Sequence, residues 1–118
     1  MIEPKRGEVW RADLEPMRGD EINKTRPVVV ISDDDIGALN LRVVVPVTNW
    51  NRRYERYQWM ARLEPNAMNG LTKTSAADTF QIRSLSVSRF KERIGTLLEE
   101  TVEEIAETVA LTIGYNPA

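Results

Sequence analysis

Two runs of β-branched residues dominate the first half of the chain, Arg26-Pro27-Val28-Val29-Val30-Ile31-Ser32 and Leu41-Arg42-Val43-Val44-Val45-Pro46-Val47-Thr48. Continuous apolar runs of this length suit strands buried on both faces. Residues 7–14 alternate partially and predict an earlier strand, and the polar stretch 15–25, with Pro16 and Gly19, predicts a loop after it. Residues 33–40 read as a turn or short helix. Residues 49–57 are a polar, basic connection, and 58–63 alternate as a fourth strand ended by Pro65 and the Asn69-Gly70 turn signal. Residues 75–85 read as a fifth, with Ala77, Thr79, Gln81 and Arg83 on one face and Phe80 and Ile82 on the other. A short sixth is expected at 94–98.

The C-terminus changes period. Val102, Ile105, Ala106, Val109 and Ile113 follow helical spacing, Thr101 and Glu104 have the form of a capping box, and Gly114 with Pro117 supplies the stop. Five or six short strands closed by one helix, without βαβ alternation, predict a mainly β protein. The expected architecture is a small, SH3-like antiparallel β-barrel with a C-terminal α-helix, occupying residues 1–118 as one domain.

Composition narrows the chemistry. There is no histidine and no cysteine among the 118 residues. Histidine triads, His-metal sites, thiolate sites and disulfides are therefore excluded, and a reducing cytoplasm is the expected setting. No cofactor and no metal are expected. No run of 18 apolar residues occurs, so no membrane association is expected either. The net charge of −2 hides an asymmetry: residues 1–93 hold all 16 Lys and Arg against 13 Asp and Glu, whereas residues 94–118 hold five Glu and no base. The body of the protein can face a polyanion while the tail turns elsewhere.

Particular residues go further than periodicity. Arg6-Gly7-Glu8-Val9-Trp10, Arg18-Gly19-Asp20-Glu21 and Lys24-Thr25-Arg26-Pro27-Val28-Val29-Val30 resemble, in order and spacing, the opening of the MazF/PemK (Kid-like) toxin family. Val45-Pro46-Val47-Thr48 and Gln81-Ile82-Arg83-Ser84 are similar to two of its later segments. The resemblance implies a sequence-selective endoribonuclease that cleaves single-stranded RNA without metal, blocks translation and growth, forms a homodimer and is neutralised by a MazE/PemI-like antitoxin. It implies that Arg26 and Thr48 are catalytic, and that Glu21 and Gln81 are acidic-loop and strand residues near the RNA. Many relatives carry an acid directly before the Q-x-R element; here that position is Phe80 and the nearest acid is Asp78.

Metal-free RNA cleavage needs attack by the ribose 2′-oxygen on phosphorus, giving 2′,3′-cyclic phosphate and 5′-hydroxyl ends. Guanidinium is planar, permanently charged and able to grip two phosphate oxygens at once, and a threonine hydroxyl can donate to a phosphoryl oxygen or orient the 2′-OH. If the strands holding Arg26 and Thr48 run antiparallel, both residues lie at one rim. A guanidinium is a poor base, which leaves Glu21 or Asp78 as alternatives. Glu21, Asp78 and Gln81 are thus catalytic or RNA-positioning candidates, and Lys24, Thr25, Asn49, Arg52, Arg53, Arg56 and Arg83 are candidate RNA contacts. Trp50, Tyr54, Tyr57 and Trp59 interleave with the loop arginines in the composition of a base-stacking surface, although Trp59 and Tyr57 suit a core. Two other readings stand beside the enzyme: a CcdB-like gyrase-inhibiting toxin, which needs no Arg–Thr pair, and a non-catalytic SH3-like binding module.

Overall fold

In the computed structural model, residues 2–14, 19, 24–37 and 39–116 are described. They form β1 (Glu8–Asp13), β2 (Thr25–Val30), β3 (Leu41–Asn49), β4 (Met60–Leu63), β5 (Ser75–Asp78), β6 (Arg83–Ser86), β7 (Phe90–Thr96) and the helix α1 (Glu99–Thr112). Short 3-10 turns occupy Arg52–Arg56, Thr79–Gln81 and Val87–Arg89. All ladders are antiparallel, in the order β4-β5-β3-β2-β1-β7, with β6 also on β3.

The two valine-rich runs are buried on both faces, as their composition requires. Val29, Val45 and Val47 point into a core shared with Val9, Leu63, Leu97 and the helix residues Val102 and Ile105. Their neighbours Val28, Val30 and Val44 point the other way, against Trp10, Ala12, Leu14, Leu85 and Phe90. Trp10 and Phe90 meet edge to face at 5.7 Å. Burying a Val or Leu side chain is worth about 1.5–3 kcal/mol, so these two layers are the main stabilising term.

The expected fifth strand is split. Along one edge of β3, Val44 pairs with Arg83 of β6 and Val47 with Ala77 of β5, and the turn Thr79–Gln81 takes up the residues between them. The Asp78 side chain explains the break, because it accepts a hydrogen bond from Phe80 N at 3.1 Å and caps the turn. Gln81 therefore does not alternate on one strand face with Ala77 and Arg83. The sixth strand is longer than expected and begins at Phe90.

Among the described residues no ladder joins β4 to β7, yet the ends of the sheet are brought together. Residues 66–71, which follow β4, lie directly on β7: Thr96 N donates to Met68 O at 2.9 Å. A Cβ built on Gly95 would stand 2.3 Å from Asn69 C, and one on Gly70 only 2.0 Å from Ile94 O. Asn69, 2% exposed, holds this turn through Oδ1, which accepts from Asn66 N and Leu71 N, and Nδ2, which donates to Glu64 O. The mainly β fold is as expected, and the turn after β4 meets β7 through backbone contact at two glycines.

The helix starts earlier than the Thr101/Glu104 box suggested. Leu98 is its N-cap, with no side-chain cap bond, and its carbonyl accepts from Thr101 N and Val102 N. Thr101 and Glu104 lie inside α1, and Glu99 and Glu100 occupy the first turn, where the helix dipole favours them. The stop is as expected: Gly114 at φ 82° with Gly114 N→Leu111 O and Tyr115 N→Ala110 O completes a Schellman motif. No described helix is long and apolar enough to cross a membrane.

Candidate functional site

Arg26 and Thr48 lie where antiparallel pairing of β2 and β3 demands. The β2–β3 ladder runs from Val30–Val44 to Val28–Pro46, and Arg26 and Thr48 each lie two residues beyond its Val28–Pro46 end. On the other side of β2, Arg26 pairs with Ala12. Both residues belong to the even-numbered face of Val28, Val30 and Val44, beyond the point where the second core covers it. Arg26 is exposed and Thr48 half-buried, so a charged and a hydroxyl donor share one rim with solvent access.

A cross-strand row runs from Thr48 on the other side of β3. Thr48 pairs with Ala76 of β5, and Ala76 with Arg62 of β4. Neighbouring strands are about 4.8 Å apart, so the Arg62 guanidinium is rooted roughly 10 Å from Thr48 across β5, while Arg26 belongs to the strand on the other side of β3. Arg62 lies over the Trp50 ring at 5.0 Å and reaches Glu64 Oε2 at 3.4 Å. Sequence reasoning missed Arg62. Its alternation placed it on a strand, but only the β3-β5-β4 register shows that its row contains Thr48.

Asp78 is 8% exposed and committed to the backbone. Burial pushes its carboxyl above the ordinary value, against hydrogen bonds from Phe80 N and Gln81 N that lower it. Folding thus favours the protonated form: that contribution is complete below the unfolded-state value and lost as pH rises through the folded-state value. At neutral pH the ionised carboxylate is a cost, whereas its acceptor oxygen is an asset. Asp78→Asn, which keeps an acceptor and deletes the charge, is expected to match or exceed the wild type in urea stability at pH 7, with its advantage shrinking as pH falls through the Asp78 titration. Asp78→Ala is expected to be less stable at both ends. An Asn variant markedly weaker at pH 7 would show that the charge itself is needed.

Gln81, half-buried, ends the turn that Asp78 caps, on the β3 edge that also carries Thr48. Glu21 lies outside the described residues. Lys24, at φ 67°, holds the loop's end by accepting Leu14 N through its carbonyl, and Lys24 and Thr25 are both exposed beside Arg26. Arg83 is half-buried and donates to Leu14 O at 3.3 Å, so it also supports the end of β1. Among the described residues no three His, Cys, Asp or Glu side chains come together.

Asn49 ends β3 exposed, and the turn beyond it presents Arg52, Arg53 and Arg56, all exposed, around a shallow cavity of about 450 Å³ that also includes Glu55. Asn51 caps this turn by accepting from Arg53 N at 3.0 Å. The aromatic residues are not core: Tyr57 and Trp59 are half-buried and stack on each other at 4.5 Å and 13°. They belong to a chain of five rings, Trp50, Tyr54, Tyr57, Trp59 and Phe80, with successive centroids 4.5 to 5.8 Å apart. The loop is too short and polar to bury them, and they bury one another instead.

Known proteins share this fold. The model of the "PemK-like, MazF-like toxin of type II toxin-antitoxin system" matches residues 5–113. Endoribonuclease MazF9 of Mycobacterium tuberculosis is 33% identical over 113 residues, covering 91% of this chain and 93% of that protein. The crystal structure of MazF from Deinococcus radiodurans superposes with a TM-score of 0.78 at 21% identity, over 97% of this chain and 99% of that one. An endoribonuclease in complex with its cognate antitoxin, from a mycobacterial species, does so at 0.73 and 19% identity, over 98% and 99%. The chain belongs to the PemK-like, MazF-like family of toxins of type II toxin-antitoxin systems.

Proposed function

We propose that this toxin is an endoribonuclease that cuts single-stranded RNA with Arg26 and Thr48 at its centre, and that residues 1–118 act as one domain for this purpose. The activity follows the family and its endoribonuclease relative. The observation that supports the site is that Arg26 and Thr48 lie beyond the same end of the β2–β3 ladder, with Arg62 in the Thr48 row across Ala76. The 2′-oxygen attacks phosphorus, the bond to the 5′-oxygen breaks, and the 2′-hydroxyl proton passes to a base while the leaving oxygen takes up a proton. Arg26 neutralises charge that grows on the phosphoryl oxygens, and Thr48 donates to one of them or orients the 2′-OH. Gln81 positions the RNA, and Asp78 positions Gln81 by capping its turn. The base is Glu21 or Asp78, the latter already accepting hydrogen bonds from Phe80 N and Gln81 N.

Lys24, Thr25, Asn49, Arg52, Arg53, Arg56 and Arg83 hold the RNA around this centre, and Arg62 joins them. The protein works in the cytoplasm as a homodimer and is neutralised by a MazE-like antitoxin; one structural neighbour is bound to its cognate antitoxin. Exposed Leu111, Ile113 and Tyr115 at the end of α1 supply apolar surface for a partner. The chemistry asks nothing of a metal. Cleavage of RNA by the purified protein is expected to survive excess EDTA and to leave 2′,3′-cyclic phosphate and 5′-hydroxyl ends, in a preparation that sediments as a dimer. A requirement for added Mg²⁺, or 5′-phosphate products, would replace this mechanism with another. A protein that leaves RNA intact but arrests gyrase would favour the CcdB-like reading.

A further inference from the structure

We infer that Phe80 is a base-stacking, specificity-determining residue, seating a nucleobase next to the phosphate held at Arg26 and Thr48. Its ring is 65% exposed, although phenylalanine gains most by burial. The backbone that carries the ring is held firmly. Phe80 N donates to Asp78 Oδ1 at 3.1 Å, and the preceding Thr79 is pinned on both sides of its backbone: its N–H and hydroxyl donate to Trp59 O at 3.1 and 2.6 Å, and its Oγ1 lies 2.8 Å from Thr112 Oγ1 of α1. A stacking platform fixed before the ligand arrives loses little freedom on binding.

The ring also has an open face. Trp59 meets Phe80 at 5.5 Å and 82°, and a perpendicular contact occupies at most one face of the Phe80 ring. Phe80 is the last ring of the five-ring chain, whose other members are each half-buried against neighbours. It follows Asp78 on the β3 edge that carries Thr48, within about 7 Å of strand from the Thr48 partner Ala76 plus one turn. Arg53 lies over Tyr54 at 5.5 Å and Arg62 over Trp50 at 5.0 Å, so the far end of the aromatic chain is flanked by fixed cations. An exposed apolar ring at one end and guanidinium groups at the other match the alternation of base and phosphate in a single strand, which an apolar protein segment does not.

This assignment rests on the endoribonuclease reading, and its test separates the two. An oligoribonucleotide carrying a site that the protein cuts is made with an abasic ribose at each position in turn, and kcat/KM is measured for the wild type, Phe80→Ala, Phe80→Trp and Arg26→Ala. At one position beside the cut, loss of the base is expected to cost the wild type and Phe80→Trp roughly ten- to hundredfold, the scale of one stacked base. Folded Phe80→Ala is expected to be weakened on the intact strand and insensitive to that same loss. Identical abasic profiles for wild type and Phe80→Ala overturn the assignment of Phe80, and if that variant instead binds the antitoxin more weakly, the ring serves the antitoxin. If Arg26→Ala cuts as fast as the wild type, the catalytic reading fails, whatever Phe80 does.

Discussion

Replacing Arg26 with alanine is expected to lower the single-turnover rate of RNA cleavage by about 10²- to 10³-fold, the cost of losing a preorganised donor to a developing anion. Affinity for RNA is expected to change little, because the charge Arg26 meets is largest in the transition state. Thr48→Val keeps the shape and strand preference of the side chain and deletes the hydroxyl; it is expected to fold normally and lose rate in the same way. Arg53→Ala supplies the contrast. If the exposed Arg53 holds ground-state phosphates as proposed, its loss is expected to weaken binding and to flatten the salt dependence by about 0.7 for a single-stranded contact, with the rate of the bound complex kept. Circular dichroism must show each variant folded. Wild-type rates in folded Arg26→Ala and Thr48→Val would dismiss the site.

Gly95→Ala is expected to destabilise the fold by about 3 kcal/mol or more, at or beyond the upper end for overpacking. The added carbon would sit 2.3 Å from Asn69 C and 2.5 Å from Asn69 O and Met68 O. These are backbone atoms of a turn that the buried Asn69 side chain holds through bonds to Glu64 O, Asn66 N and Leu71 N, and neither side can swing away. Against a total stability of about 5–15 kcal/mol for a domain of this kind, the loss is large. Urea unfolding is expected to show a midpoint lowered by about 1 M or more with an unchanged slope. Gly37→Ala is the control: it has a positive φ but nothing within 4 Å of its Cβ, so it carries only backbone strain. Equal midpoints for Gly95→Ala and the wild type would mean that the contact closing the sheet is looser than described.

Much of this protein is written locally. The valine runs specify strands buried on both faces because both faces of each are apolar, and Gly114 specifies the end of the helix because its left-handed backbone costs glycine least. The placement of Arg26 at the start of β2 and Thr48 near the end of β3 was legible from the apolar runs that each residue bounds. Other features depend on partners far along the chain. Asp78 turns out to be a buried cap, so the strand expected at 75–85 breaks at Thr79–Gln81 and Gln81 leaves the face assigned to it. Thr101 and Glu104 have the form of a cap, but the helix begins at Glu99. Trp59 has a core residue's composition, yet its ring found aromatic neighbours in the loop rather than a place among the valines. Arg62 is an ordinary strand arginine until β4, β5 and β3 are laid side by side. Alternation along a strand tells which residues share a face, because side chains point to opposite sides with period two. Which residues share a row depends on register, and register is decided by hydrogen bonds between strands distant in sequence and by the turns that offset them.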